Sequence, residues 1–147
     1  MRTVTASVTV QAPAIEVEQL WDDPTRWASW IDDFGHIFRL DDHWPQVGAR
    51  RIWDSPPAGR GRVMETATAY RAGEERTGAI EDARVRGFQR VRFESDGTST
   101  RITVALDLNP KDRLAPARRW WLRRQFRESL WRSLRRFSYE LAADRER

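Results

Sequence analysis

The stretch that decides the fold lies near the carboxyl end, where residues 122–141 read LRRQFRESLWRSLRRFSYEL. Its large apolar side chains recur every three or four residues, which is the spacing of one face of an α-helix. At 100° per residue they fall within an arc of about 120°. These residues are Leu122, Phe126, Leu130, Leu134, Phe137 and Leu141. The pattern predicts a helix over 113–143, with Asp112 as its N-cap and Pro116 in the first turn, where a proline is tolerated.

A helix with one apolar stripe needs a second surface to bury that stripe, and alternating sequences upstream supply one. Apolar and polar residues alternate over 3–11 and over 98–109, which is the period of a half-buried β-strand. Turns rich in proline and glycine separate the segments between them, and Asp96-Gly97 is a strong hairpin signal. The sequence predicts strands at 3–11, 36–41, 48–54, 61–71, 76–84, 88–95 and 98–109.

Two short helices are predicted between the first two strands. Pro13 suits the first turn of a helix over 13–22, because its φ is already helical and it has no N–H to leave unpaired. Asp23-Pro24 ends this helix, and residues 25–34 then carry aromatic side chains at helical spacing. The predicted order is β-α-α-β6-α, which is that of an α+β protein.

Length and composition limit the classes of protein to which the chain can belong. Its 147 residues are close to the commonest size of a single domain, so one domain is predicted over 1–147. The sequence has no cysteine, which excludes disulfides and thiolate metal sites. It shows neither a signal-peptide pattern nor an apolar run of about 18 residues, so we expect a soluble cytoplasmic protein.

Positive charge is concentrated in the predicted last helix. Residues 116–147 contain ten arginines and four acidic residues, a net charge of +6, whereas the first 115 residues contain 16 basic and 18 acidic residues, a net charge of −2. The outer arginines of this helix, with Trp121 and Tyr139, would suit a membrane surface and, much less well, a nucleic acid. Arg–Glu pairs four residues apart are also typical of a solvated helix face.

The element order and four local sequences within it resemble the START-like (SRPBCC, helix-grip) superfamily. The four are Val8 to Pro13 with the helix that follows, Asp23-Pro24-Thr25-Arg26-Trp27-Ala28-Ser29-Trp30, Val47-Gly48-Ala49-Arg50-Arg51, and the amphipathic last helix. Within the superfamily the likeness is greatest to the polyketide cyclase/dehydrase and lipid-transport family, and it extends over nearly the whole chain.

The resemblance implies a helix-grip fold, in which a curved, seven-stranded antiparallel sheet wraps the C-terminal helix and leaves a cavity between them. Members of the superfamily use that cavity for lipids, quinones, sterols, plant hormones or polyketides. Some cyclise or dehydrate the ligand, some carry it, and others bind protein partners. The fold therefore does not decide the function.

Aromatic and apolar residues are the first candidates for a ligand site. Trp27, Trp30 and Phe34 fall on one face of the second predicted helix. They would close one end of the core or, because this helix lies over the cavity mouth in the resembled architecture, form an aromatic rim for a planar ligand. Phe126 and Leu130 on the last helix are further candidates for the cavity lining.

Charged residues on the third predicted strand and its neighbour are the second group. Alternation places Arg51 and Trp53 on one face of the strand. If they point inward, Arg51 needs an acidic partner, for which Glu65 on the following strand is the obvious candidate. A solvated cross-strand pair is the alternative.

Two arginines project within the apolar arc of the last helix. Arg119 and Arg123 would line a polar end of the cavity and receive a carboxylate, phenolate or enolate of the ligand. Alternatively, their stems lie on apolar surface and their guanidinium groups reach water.

No catalytic or metal-binding motif can be identified. His36 and His43 flank Asp41 and Asp42 at a spacing that matches no recurrent metal-ligand pattern, so neither a metal site nor a cofactor is predicted. The sequence assigns no residue a catalytic role.

These observations favour a protein that binds a hydrophobic or aromatic small molecule, such as a lipid, a quinone or a polyketide-like compound. The alternative is a cyclase- or dehydratase-type enzyme, in which Arg51, Arg119 or Arg123 would stabilise an enolate. Glu65 would then transfer the proton. A third alternative is a protein- or membrane-surface interaction module that uses the basic helix face.

Overall fold

The computed structural model describes residues 3–147. Met1 and Arg2 lie outside the described residues, and they belong to the amino-terminal stretch for which the sequence predicts no signal peptide. The strands are β1 (Val4–Val10), β2 (His36–Leu40), β3 (Arg50–Asp54), β4 (Arg62–Arg71), β5 (Glu75–Glu81), β6 (Val85–Ser95) and β7 (Thr100–Pro110). The helices are α1 (Ala14–Trp21), α2 (Trp27–Trp30) and α3 (Pro116–Arg145). The predicted order β-α-α-β6-α is confirmed.

All seven strands form one antiparallel sheet in the order β1-β7-β6-β5-β4-β3-β2. Five of the neighbouring pairs are consecutive in sequence, and β1 pairs with the last strand, with Val4 opposite Leu106. The predicted hairpin at Asp96-Gly97 joins β6 to β7. Backbone N–H groups of Ser99 and Thr98 donate to the Asp96 carboxylate and lower the pKa of Asp96 to about 2.

α3 packs its apolar face against the inner face of the curved sheet. Leu134 and Phe137 are completely buried, and inward-facing residues of β1 and β7 are buried with them. The Phe137 ring lies 5.1 Å from the ring centroids of both Trp21 and Trp30, so α1 and α2 join the same core. The amphipathic helix and the alternating strands therefore bury each other, as the sequence predicts.

Helix α3 begins later than predicted. Its N-cap position is Ala115, and within the described chain no side-chain hydrogen bond caps it, so the assignment of Asp112 as the N-cap is wrong. The reason is the preceding strand. β7 extends to Pro110, and the Lys111 N–H donates to the Arg84 carbonyl (2.8 Å), so the residues around 112 are needed to cross from the sheet to the helix.

Helix α2 is a single turn and not the predicted ten residues over 25–34. Before it, the Asp23 carboxylate accepts the backbone N–H of Thr25 (3.0 Å) and holds the chain in a turn. After it, Ile31 is extended and Asp33 has a φ of 65°, which stops helix propagation.

Strand β5 ends at Glu81, three residues earlier than predicted. The Asp82 carboxylate accepts the backbone N–H groups of Arg84 (2.8 Å) and Val85 (3.0 Å) and closes a turn there. No helix within residues 3–147 is long and apolar enough to cross a membrane.

Replacing Phe137 tests the packing of α3 against the rest of the fold. We expect Phe137→Ala to lower the free energy of unfolding by about 3–5 kcal/mol, because the ring is completely buried among other rings. Tyr139→Ala is the matched control. Its ring is 67% exposed on the same helix, so a change within about 0.5 kcal/mol is expected. Urea unfolding measures the free energy of unfolding of both variants. Equal losses of this free energy in the two variants would show that α3 does not pack as described.

Candidate ligand-binding cavity

The inner face of the sheet is not uniformly apolar. Alternation in β3 to β6 turns a set of polar side chains toward the interior, among apolar neighbours such as Val63 and Ile80. These polar residues are Arg51, Glu65, Arg76 and Gln89. Buried charges are costly unless they are paired, so the partners of each decide what the interior can do.

Arg51 and Glu65 form a buried ion pair across β3 and β4. They lie directly opposite each other in the ladder, and the Arg51 Nε donates to Glu65 Oε2 at 2.5 Å. Their exposed fractions are 7% and 6%. The guanidinium lies between two rings, 4.5 Å from the Trp27 centroid and 4.9 Å from the Trp44 centroid. Of the two alternatives derived from the sequence, the structure therefore has the inward pair and not the solvated one.

A second buried cation, Arg76 on β5, binds helix α1. It contacts both Asp22 carboxylate oxygens and donates to Glu18 Oε2 at 2.8 Å. Burial favours the neutral form, but the hydrogen bonds and charges of Asp22 and Glu18 outweigh it and raise the pKa of Arg76 above its ordinary value. This cluster fastens α1 to the sheet, and its partners lie more than 50 residues apart in sequence.

A cavity of about 70 Å³ lies between the sheet and α3. Aromatic and aliphatic side chains form most of its wall, together with Arg51, Glu65 and Arg60. A further space of about 30 Å³ borders the same Arg51–Glu65 pair. Sites for small molecules usually enclose about 300–1,000 Å³, so the interior must open before it can hold a molecule of drug size.

Arg60 separates this cavity from a wider groove at the surface. It lines both spaces, and its Nε donates to the Asp82 carboxylate at 2.9 Å. Its guanidinium carbon lies 5.6 Å from the Trp53 ring centroid and 5.2 Å from that of Phe126. The outer groove has a volume of about 480 Å³ and also borders α3. Arg60 thus occupies the mouth of the cavity.

Asp32, in the loop after α2, closes the mouth from the other side. Its carboxylate accepts hydrogen bonds from Ser129 (2.7 Å), Arg132 (3.0 and 3.1 Å) and Arg136 (3.2 Å), and its backbone N–H donates to Ser133 (2.8 Å). Burial disfavours the ionised carboxylate, but the bonds from Arg132 and Ser129 outweigh it and hold the pKa of Asp32 below its ordinary value. The loop is therefore tied to α3 in its charged form.

Two indole N–H groups in the cavity wall have no acceptor among the described residues. They belong to Trp30 and Trp53, both of which line the cavity and are more than 95% buried. A buried donor without an acceptor costs free energy. The wall can therefore gain hydrogen bonds from an entering molecule that carries acceptor oxygens.

Six of the ten residues predicted from the sequence line the cavity. They are Trp30, Arg51, Trp53, Glu65, Phe126 and Leu130. Two more lie behind the wall: Trp27 against Arg51, and Phe34 against the Trp53 ring at 5.0 Å. Trp27 and Phe34 thus support the cavity wall from outside it, and α2 contributes Trp30 alone to the lining.

The two remaining candidates lie elsewhere. Arg119 is exposed at the start of α3, and Arg123 donates from Nη2 to the Thr3 carbonyl at 3.1 Å. Neither lines the cavity, so the expectation that they face it is wrong. The reason is the length of α3, whose contribution to the cavity wall begins only at Phe126.

Sequence reasoning missed both residues at the mouth, Arg60 and Asp32. Gly59-Arg60-Gly61 is interpretable only as a turn, because nothing local shows where its side chain reaches. A signal did exist in Asp82. It lies two residues after Ile80 and therefore falls on the same inward face of the predicted strand, where a buried carboxylate needs a cationic partner. For Asp32 no comparable signal exists in the sequence, since its partners lie about 100 residues away on α3.

Comparisons with known proteins agree with this architecture. Residues 1–138 match the sequence model of a family described as polyketide cyclase / dehydrase and lipid transport. Among solved structures, the Zhui aromatase/cyclase of Streptomyces sp. R1128 is 17% identical with a TM-score of 0.79, and the match covers 96% of this chain and 93% of that chain.

Two further structures show the same likeness. A START superfamily protein of Mycobacterium smegmatis is 14% identical with a TM-score of 0.73, covering 96% of this chain and 97% of that one. A conserved protein of Geobacillus kaustophilus is 11% identical with a TM-score of 0.77, covering 97% and 96%. No curated protein sequence matches significantly. At such identities the solved structures establish the fold and leave the activity open.

Removing one member of the buried ion pair tests its geometry. We expect Arg51→Leu to cost about 3–5 kcal/mol of unfolding free energy, because it leaves the Glu65 carboxylate buried without its partner. The double variant Arg51→Leu/Glu65→Leu is expected to be more stable than the single one. Arg90→Leu, which breaks an exposed pair with Glu75 on the same sheet, is the control and should cost no more than about 1 kcal/mol. A double variant that is less stable than Arg51→Leu would contradict the buried pair.

The loop contact of Asp32 predicts a dependence of stability on pH. Because the pKa of Asp32 is lower in the folded chain, its ionised form contributes stability above the ordinary carboxyl pKa of about 4, and this contribution is lost as the pH falls through the lower folded value. Asp32→Asn should therefore melt at a lower temperature than the parent at pH 7, with the difference shrinking below about pH 4. Asp107→Asn, a substitution at an exposed position of β7, should change neither the melting temperature at pH 7 nor its dependence on pH. A difference for Asp32→Asn that is independent of pH would rule out the charged contact.

Proposed function

Because the chain belongs to the polyketide cyclase/dehydrase and lipid-transport family, we propose that residues 1–147 form one domain that binds an apolar or aromatic small molecule in the cavity between the sheet and α3. The match to the family model and the fold shared with solved structures confirm the family resemblance and the helix-grip fold inferred from the sequence. The expected ligand is a lipid, a quinone or a polyketide-like compound, which the interior of about 70 Å³ holds only after it opens.

The observation that carries this proposal is the composition of the cavity wall. Flat rings from Trp21, Trp30, Trp53 and Phe126 surround the space, and they suit the faces of a planar or acyl ligand. The two indole N–H groups without acceptors then select, among apolar molecules, those that carry carbonyl or hydroxyl oxygens. A core built only for packing gains nothing from such donors.

Entry of the ligand requires the mouth to open, since the enclosed space is about 70 Å³. Two polar contacts close it: Asp32 with the exposed arginines of α3, and Arg60 with the buried Asp82 carboxylate. Breaking a buried ion pair costs more than breaking an exposed one, so release of Arg60 from Asp82 is the costlier step of opening. Movement of the loop after α2 and of the turn around Arg60 would join the cavity to the outer groove of about 480 Å³.

A cyclase- or dehydratase-type activity is the second candidate, and the Arg51–Glu65 pair favours it. Both side chains line the cavity, so a bound ligand would meet a cation able to stabilise an enolate and a carboxylate able to accept a proton. A carrier returns its ligand unchanged, whereas an enzyme converts it. Incubating the protein with the ligand and following loss of water by mass spectrometry or a new aromatic absorption band separates the two functions.

Native mass spectrometry of protein purified without detergent tests the binding proposal. We expect a stoichiometric apolar ligand that carries at least one acceptor oxygen, identifiable after extraction. A parallel thermal-shift panel of 1-naphthol, 1,4-naphthoquinone and decanoate covers a ligand lost during purification. Protein that is empty and that also shows no thermal shift with any of these probes would rule out the proposed cavity function.

Substitution of one donor refines this test. Trp53→Phe keeps a ring in the wall and removes the indole N–H. It should therefore lower the affinity for the extracted ligand, or for the best probe of the panel, about three- to tenfold. The exposed Trp131→Phe is the matched control and should leave the affinity unchanged. Equal affinities of parent and Trp53→Phe would mean that the indole N–H does not contact the ligand.

A further inference from the structure

One exposed stripe of α3 combines tryptophan and arginine and takes no part in the cavity. Its residues follow one another at intervals of three or four and fall within an arc of about 80° at 100° per residue, next to the buried arc. They are Trp120, Arg124, Arg127, Trp131 and Arg135. All five are exposed, and the two tryptophans have exposed fractions of 60% and 47%. We call these five residues the Trp/Arg stripe.

The charge of this stripe is only partly compensated. Arg124 lies over the Trp120 ring at 5.5 Å and pairs with Glu128 at 3.0 Å. Within residues 3–147, Arg127 and Arg135 have no ion-pair partner, in contrast to the arginines of α3 that bind Asp32. The stripe itself contains no acidic residue. A partner that docks on this face would therefore have to be anionic.

We propose that the Trp/Arg stripe docks the protein onto an anionic phospholipid surface. Tryptophan rings prefer the interface between lipid headgroups and acyl chains, and neighbouring arginines bind the headgroup phosphates. Trp120 and Trp131 are separated by eleven residues, or about 16 Å along the helix axis, so both reach the same plane when α3 lies parallel to the membrane.

The geometry disfavours other occupants. A second copy of the chain would bring the same arginines against one another, and like charges repel. Single-stranded nucleic acid is usually held in a groove that follows its backbone, whereas the stripe is the convex side of a helix. A flat or gently curved anionic surface fits this shape and this charge.

Flotation with lipid vesicles tests the docking surface independently of any cavity ligand. The full chain is mixed with vesicles of phosphatidylcholine alone or with one quarter phosphatidylglycerol. We expect binding to the anionic vesicles only, and we expect it to weaken as salt is raised. Arg127→Gln/Arg135→Gln should lower the partition coefficient by about 25-fold, from a factor of about five per arginine.

Matched variants separate the stripe from the total charge of the protein. Arg86→Gln/Arg101→Gln removes the same charge from exposed positions of β6 and β7 and should lower binding far less. Trp120→Ala/Trp131→Ala should also weaken binding severalfold, whereas Tyr139→Ala should not. These positions are exposed, so the thermal midpoint of each variant should match that of the parent.

Three results would overturn the proposal. Equal binding to both kinds of vesicle would remove the role of charge. Equal losses in Arg86→Gln/Arg101→Gln and Arg127→Gln/Arg135→Gln would show non-specific attraction by net charge. Failure to bind anionic vesicles, with binding to single-stranded RNA or to an acidic peptide instead, would assign the stripe to another partner.

Discussion

Burial of the α3 apolar face is the constraint on which the rest of the structure depends. A helix of 30 residues is about 45 Å long, and its apolar stripe needs a surface of comparable extent. The curved seven-stranded sheet supplies this surface, and the pairing of β1 with β7 brings both ends of the chain to it. Phe137 extends the same core to Trp21 and Trp30, so the short helices α1 and α2 are held by the contact that seats α3.

The same arrangement places charged side chains inside the protein. The inner face of β3 to β6 carries Arg51, Glu65 and Arg76, each of which has an oppositely charged partner. The two guanidinium groups also lie over aromatic rings, which offsets part of the cost of their removal from water. A molecule entering this interior would meet aromatic walls and fixed charges together.

The cavity connects these buried charges to the surface through one polar boundary. On its inner side lie packed rings, and on its outer side lies a wider groove beside α3. Arg60 and Asp32 lie between the two spaces. Arg60 pairs with Asp82 in the turn after β5, and Asp32 accepts hydrogen bonds from α3. Opening at this boundary would break the contacts of Asp32 with α3 and the buried Arg60–Asp82 pair, whereas the rings that pack Phe137 of α3 into the core are not part of it.

The sequence by itself determined the element order and the buried face of α3, with Phe126 and Leu130 on it, because these follow from periods of two and 3.6 residues that act over short distances. Only the tertiary structure decided that Arg51 and Glu65 face inward, that Arg119 and Arg123 do not reach the cavity, and that Arg60 lies at its mouth. Each of these depends on which distant residue completes an ion pair, or on where a helix starts relative to the sheet. Such relations are set by packing between elements, and no local pattern records them.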